Sequence, residues 1–117
     1  MDDECTMSNP NQTSKRYTLT IGLEEGSVPG GTKGKAIPRE VAHSEILRAL
    51  AQNEIDGASI RGGVGVWKGD TEVSLDLIIL GQASQKETIF KMAHDLRLRL
   101  RQEAIMIQVE TVDLDFI

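Results

Sequence analysis

Over residues 71–81 the chain alternates. Val73, Leu75, Leu77 and Ile79 fall on one side of an extended backbone, and Glu72, Ser74, Asp76, Ile78 and Leu80 fall on the other. A period of two over residues 72–80 predicts a strand with one face in a core, and its regularity predicts a central one. Residues 17–23 repeat the pattern, with Tyr17, Leu19, Ile21 and Leu23 separated by Thr18, Thr20 and Gly22. A third strand is expected over 58–67, where Ile60, Val64 and Val66 are interleaved with Gly62, Gly63 and Gly65. Glycine inside a strand marks a bulge or a close approach by another group. Lys68-Gly69-Asp70 then reads as the turn joining this strand to 71–81 in a hairpin. A fourth strand covers 104–110 with Ile105, Ile107 and Val109 inward. Beyond it the phase slips to Val112, Leu114 and Phe116, which predicts a bulge or a short extension strand.

Two segments carry helical spacing instead. Pro38 suits a first helical turn, and Ala42, Ile46, Ala49 and Leu50 share one face of a helix running to about Asn53, with Leu47 alongside. His43 flanks that stripe and is expected to be partly buried and hydrogen-bonded. Ser84-Gln85-Lys86-Glu87 reads as a capping box, followed by Ile89, Ala93, Leu96 and Leu100 on one face. Glu87–Lys91 and Asp95–Arg99 are pairs four residues apart in the favourable order. Arg97, Arg99 and Arg101 near the carboxyl end complement the helix dipole.

The order is therefore β-α-β-β-α-β with a C-terminal extension strand. Right-handed crossovers turn that order into a four-stranded antiparallel sheet, an α+β sandwich with both helices on one face and the first and third strands in the middle. Residues 1–16 hold little to bury and read as a disordered leader, leaving 17–117 as a single domain. No element is left to cover the second face. Thr18, Thr20, Arg61, Trp67, Glu72, Ser74, Asp76, Ile78, Leu80, Met106 and Gln108 point there. Ile78, Leu80 and Met106 are expected to form an apolar patch, so the chain is expected to self-associate through this face or an edge strand, as a dimer or a trimer.

Composition narrows the function classes. The net charge is −5, with acidic and basic residues mixed, and the aromatic residues are Tyr17, Trp67, Phe90 and Phe116. Nucleic acid is not expected as a partner of such a surface. The single cysteine, Cys5, cannot form a disulfide within one chain. The acidic opening Met1-Asp2-Asp3-Glu4 is unlike a secretory signal, and no apolar run approaches the roughly 20 residues of a membrane span. A soluble cytoplasmic protein without a membrane partner is the expectation. No metal-ligand spacing and no cofactor motif occur.

Candidate chemistry sits in two places. Residues 26–35, Gly-Ser-Val-Pro-Gly-Gly-Thr-Lys-Gly-Lys, form a glycine-rich loop between a strand and a helix. It fails as a Walker A loop, because Pro29 stands at the first glycine and Ala36 at the Ser/Thr. Its amides with Lys33 or Lys35 can still hold an anion. Gly30, Gly31, Lys33, Gly34 and Lys35, with Arg61 for charge and Trp67 as a contact surface, are the candidate ligand-binding residues. On the open face, Asp76 or Glu72 is the candidate base and Arg61 its electrostatic partner. Three functions are compatible with these residues. One is a binding or regulatory module for an anionic small molecule or a protein partner. Another is a small enzyme with its site on the open face or a subunit boundary. The third is a structural or accessory protein without a ligand.

The element order, Gly65-Val66-Trp67-Lys68-Gly69, the strand over 72–80 and the extended C-terminus resemble the ferredoxin-like βαββαβ proteins of the PII and CutA group. The resemblance covers roughly residues 17–117. It implies a trimer whose open sheet faces pack together. The long loop of PII proteins joins the second and third strands, whereas here that connection is tight and the long loop follows the first strand.

Overall fold

The computed structural model describes residues 14–26, 34–67 and 69–117. Six elements follow one another: β1 (Ser14–Gly22), α1 (Arg39–Gln52), β2 (Ser59–Trp67), β3 (Asp70–Gln82), α2 (Lys86–Arg99) and β4 (Met106–Thr111). A 3₁₀ turn, Ala83–Gln85, leads into α2. The strands form one antiparallel sheet in the order β2-β3-β1-β4, so the α+β, ferredoxin-like arrangement expected from the sequence is the one formed, with β3 and β1 in the middle.

The core lies between the sheet and both helices. Tyr17, Leu19, Ile21, Leu75, Leu77 and Ile79 point into it from the central strands. Ala42, Ile46, Ala49 and Leu50 of α1 and Ile89, Met92, Ala93 and Leu96 of α2 meet them. Each of these helical sets recurs every three or four residues, and that spacing buries one stripe of each helix. The Tyr17 hydroxyl donates a 2.6 Å hydrogen bond to the Gln82 carbonyl, so the core's one phenol is satisfied where β3 ends.

Several boundaries differ from the sequence reading, each for a local reason. β1 includes Ser14 to Arg16, because Lys15 pairs with both Gly81 and Thr111 and Arg16 with both Leu80 and Glu110. The capping pair before α2 is Gln82 and Gln85, not Ser84 and Glu87. The Gln85 side chain accepts the Gln82 N–H at 2.8 Å, since a 3₁₀ turn intervenes and moves the helix start. Of the two expected ion pairs on α2, Asp95–Arg99 forms at 3.2 Å and Glu87–Lys91 does not; in the same first turn Lys86 lies over the Phe90 ring at 5.5 Å. His43 is exposed rather than partly buried, because α1 turns it away from the stripe that meets the sheet. Residues 112–117 are not a strand. The Val112 N–H still donates to the Ser14 carbonyl, where the described part of β1 begins, and the ladder has no further rungs among the described residues.

Two glycines act by their missing side chains. A methyl group on Gly34 would overlap the Glu25 carbonyl, and the Glu24–Ala36 bridge and the Glu25 N–H to Lys35 carbonyl bond (2.7 Å) close the neck of the loop there. At Gly62 the added carbon would lie 2.9 Å from an Arg39 guanidinium nitrogen. The close approach expected at the glycine strand is therefore, at this position, an arginine of α1.

Candidate functional site

Register fixes what stands beside what on the open face. Across the sheet from β2, one row runs Arg61, Asp76, Thr20, Met106. The next runs Ser59, Ile78, Thr18, Gln108, and beyond it Leu80, Arg16 and Glu110 follow. Alternation alone assigns Arg61, Asp76, Thr20, Met106, Ile78, Thr18, Gln108 and Leu80 to this face, and register adds Ser59, Arg16 and Glu110. The expected apolar patch is corrected in one respect. Ile78 and Leu80 are neighbours on β3, but Met106 lies on β4 with Thr18 and Thr20 of β1 between them. The apolar surface is two separate spots.

Between Arg16, Arg61 and the β3 pair lies an open depression of about 380 Å³, lined by Arg16, Gly57, Ala58, Ser59, Arg61, Ile78 and Leu80. Its floor is apolar and its rim carries two guanidiniums. Arg16 is already committed, donating to Glu110 Oε1 at 2.9 and 3.0 Å. Arg61 makes no hydrogen bond or ion pair within the described residues, which leaves it free to take a carboxylate or phosphate. Beside it, Asp76 accepts a 2.8 Å hydrogen bond from the Thr20 hydroxyl. That bond orients the carboxylate on the sheet surface.

Among the candidate catalytic residues, Arg61 and Asp76 are therefore brought together, as cross-strand partners. Glu72 is not with them. It lies four residues along the same strand from Asp76, about 13 Å away at the usual rise, so the two carboxylates cannot share a proton. Of the loop candidates, Gly30, Gly31 and Lys33 lie outside the described residues, as does the side chain of Trp67. Gly34 and Lys35 sit at the loop neck on the far side of α1's start, away from the depression. Arg16, Ser59 and the Gly57-Ala58 backbone were missed by sequence reasoning. Arg16 precedes the first recognisable alternation, and the other three become neighbours of Ile78 only through register.

The described residues hold no group of three or more His, Cys, Asp or Glu side chains placed to bind a metal. No helix among them is long and apolar enough to cross a membrane.

No family model and no curated protein matches the chain. Solved structures do share its fold. A phage SAM lyase in complex with S-methyl-5'-thioadenosine superposes with a TM-score of 0.63 at 19% identity, covering 90% of this chain and 86% of that one. The apo phage SAM lyase gives 0.61 at 18% identity, covering 92% and 87%. A DUF3240 family protein from Shewanella baltica OS155 gives 0.63 at 10% identity, covering 90% and 96%. At these identities the likeness is one of fold: this chain has the small α+β architecture of those proteins over nearly its whole length.

Proposed function

We propose that this chain is an oligomeric small-molecule module whose ligand lies in the open-face depression and carries a thioadenosine group. The observation that carries the reading is the depression itself, an apolar floor of Ile78 and Leu80 rimmed by the unpaired Arg61. Its volume falls within the range of roughly 300–1,000 Å³ typical of small-molecule sites. A purine packs on the Ile78 and Leu80 side chains. The carboxylate of an amino-acid moiety takes the Arg61 guanidinium. The Asp76 carboxylate, held by Thr20, faces a positive sulfur. S-adenosylmethionine (SAM) carries all three features. The depression is open, and a second copy packed on this face completes its wall.

The fold shared with a phage SAM lyase favours a second reading, in which the chain turns SAM over. Cleavage breaks the bond between sulfur and the γ-carbon of the amino-acid moiety and leaves the electron pair on sulfur as a neutral thioether, while the ligand's own carboxylate oxygen forms the new bond to that carbon and closes a lactone. Dispersal of a positive charge is favoured on a partly apolar surface where water is excluded. The test is incubation of the purified full chain with SAM, followed by mass spectrometry for S-methyl-5'-thioadenosine and the amino-acid fragment. Turnover is expected to fall at least tenfold in Arg61→Ala and Asp76→Asn. Absence of turnover sinks the enzymatic reading. Turnover unchanged in both variants places the site elsewhere.

A further inference from the structure

The β2–β3 hairpin outruns the rest of the sheet. The β1–β3 ladder stops at Gly22 and Ser74, with one further bond from the Leu23 N–H to the Val73 carbonyl, so beyond it residues 65–67 and 70–72 pair as a two-stranded arm. Val64, Val66 and Val73 lie on the helix side of the sheet, yet no helix reaches them. They are 68, 70 and 44% exposed. β2 is also a sheet edge, so its outer backbone groups have no strand partner among the described residues. A long edge with apolar side chains is a template for another strand.

The chain itself supplies a segment of matching pattern. Residues 112–117 read Val-Asp-Leu-Asp-Phe-Ile, and Leu114, Phe116 and Ile117 are exposed. Laid along β2 as a strand, this segment places Leu114 and Phe116 on the Val64 and Val66 side. Asp113 and Asp115 then fall on the opposite side, which is the side of the unpaired Arg61. Apolar meets apolar on one face, and on the other the acids share the surface that carries Arg61, two or more residues farther along β2.

The segment cannot reach its own arm. β4 ends at Thr111, which stands level with Lys15 and Gly81, whereas Val66 stands level with Thr71. That separation is ten residues along β3, about 33 Å, and six extended residues span about 20 Å. We infer that the C-terminal segment of a second copy adds to the β2 edge as a fifth strand, with main-chain bonds giving affinity and alternate side chains giving register. The docking rests on the apolar edge of β2 and stands if no nucleoside binds, although a bound carboxylate would compete with the segment's acids for Arg61.

The test uses the full chain in a Cys5→Ser background. One preparation carries Val66→Cys and another Phe116→Cys, both at exposed positions that leave the core untouched. After mixing, subunit exchange and mild oxidation, a disulfide between the two kinds of chain is expected. A chain ending at Thr111 is expected to sediment at a lower mass than the full chain under the same conditions. A monomeric full chain, an oligomer that yields no 66–116 cross-link, or an unchanged mass after truncation overturns the inference.

Discussion

Tyr17 is fully buried with its hydroxyl bonded to the Gln82 carbonyl. Burial pushes the phenol above its ordinary range, because the ionised form is poorly solvated there. The folded state therefore holds that proton more tightly than the unfolded one. The resulting stability is fully present below the unfolded value of about 10 and is lost as pH rises through the higher folded value. Tyr17→Phe is expected to cost about 1 kcal/mol at neutral pH, from the lost hydrogen bond. It is also expected to flatten the fall in stability above pH 10, and urea unfolding at pH 7 and pH 10.5 measures both. Alternation alone identified Tyr17 as a core residue, but its partner Gln82 depends on where β3 ends. Arg61 shows the same division. Its place on the open face follows from parity, whereas its lack of a partner follows from the fold around it. The charge on Arg48 is held by other means, a hydrogen bond to Glu45 that raises its pKa beyond the ordinary value, and a 3.4 Å contact with Asp95 that ties α1 to α2.

Both helices end the same way. Ile55 N–H donates to the Leu50 carbonyl and Gln102 N–H to the Arg97 carbonyl, with Glu54 and Arg101 between them in the left-handed region at φ of 57 and 52°. This is the geometry that glycine normally supplies. Glu54→Gly and Arg101→Gly are each expected to raise stability, by about 0.5–1 kcal/mol, as the side chain's steric cost is relieved. The gain should be larger at Glu54, since an acid at a helix carboxyl end opposes the dipole while an arginine complements it. Thermal melts of the two variants order them. These ends were half legible in the sequence. The stripes fixed the helices to within a few residues, but neither end carries the expected glycine. The start of α2 was misread for a related reason. Ser-x-x-Glu is a sound capping pattern, and it lost to a 3₁₀ turn that let Gln85 reach back to Gln82. Short-range chemistry that two nearby side chains can both satisfy is decided by the backbone path between them.

At the scale of the molecule, the alternation in β1 and β3 sets the topology, and the topology leaves one face and one arm uncovered. Strand order and face assignment were readable because a period of two has only two phases. The depression was not readable, since Arg16, Ser59 and Ile78 lie on three strands and meet only through register. The expected patch of Ile78, Leu80 and Met106 failed for the same reason, because sequence gives a residue's face but not its distance across the sheet. The proposed thioadenosine ligand would be held in this depression through Ile78 and Arg61. Isothermal titration of the full chain with S-adenosylhomocysteine and with S-methyl-5'-thioadenosine tests this proposal most directly. Both ligands are expected to bind saturably, and Ile78→Asp to abolish both. Arg61→Ala is expected to weaken the carboxylate-bearing ligand about tenfold, some 1.4 kcal/mol, and to leave the other unchanged. No binding of either ligand, or binding that neither substitution alters, contradicts it.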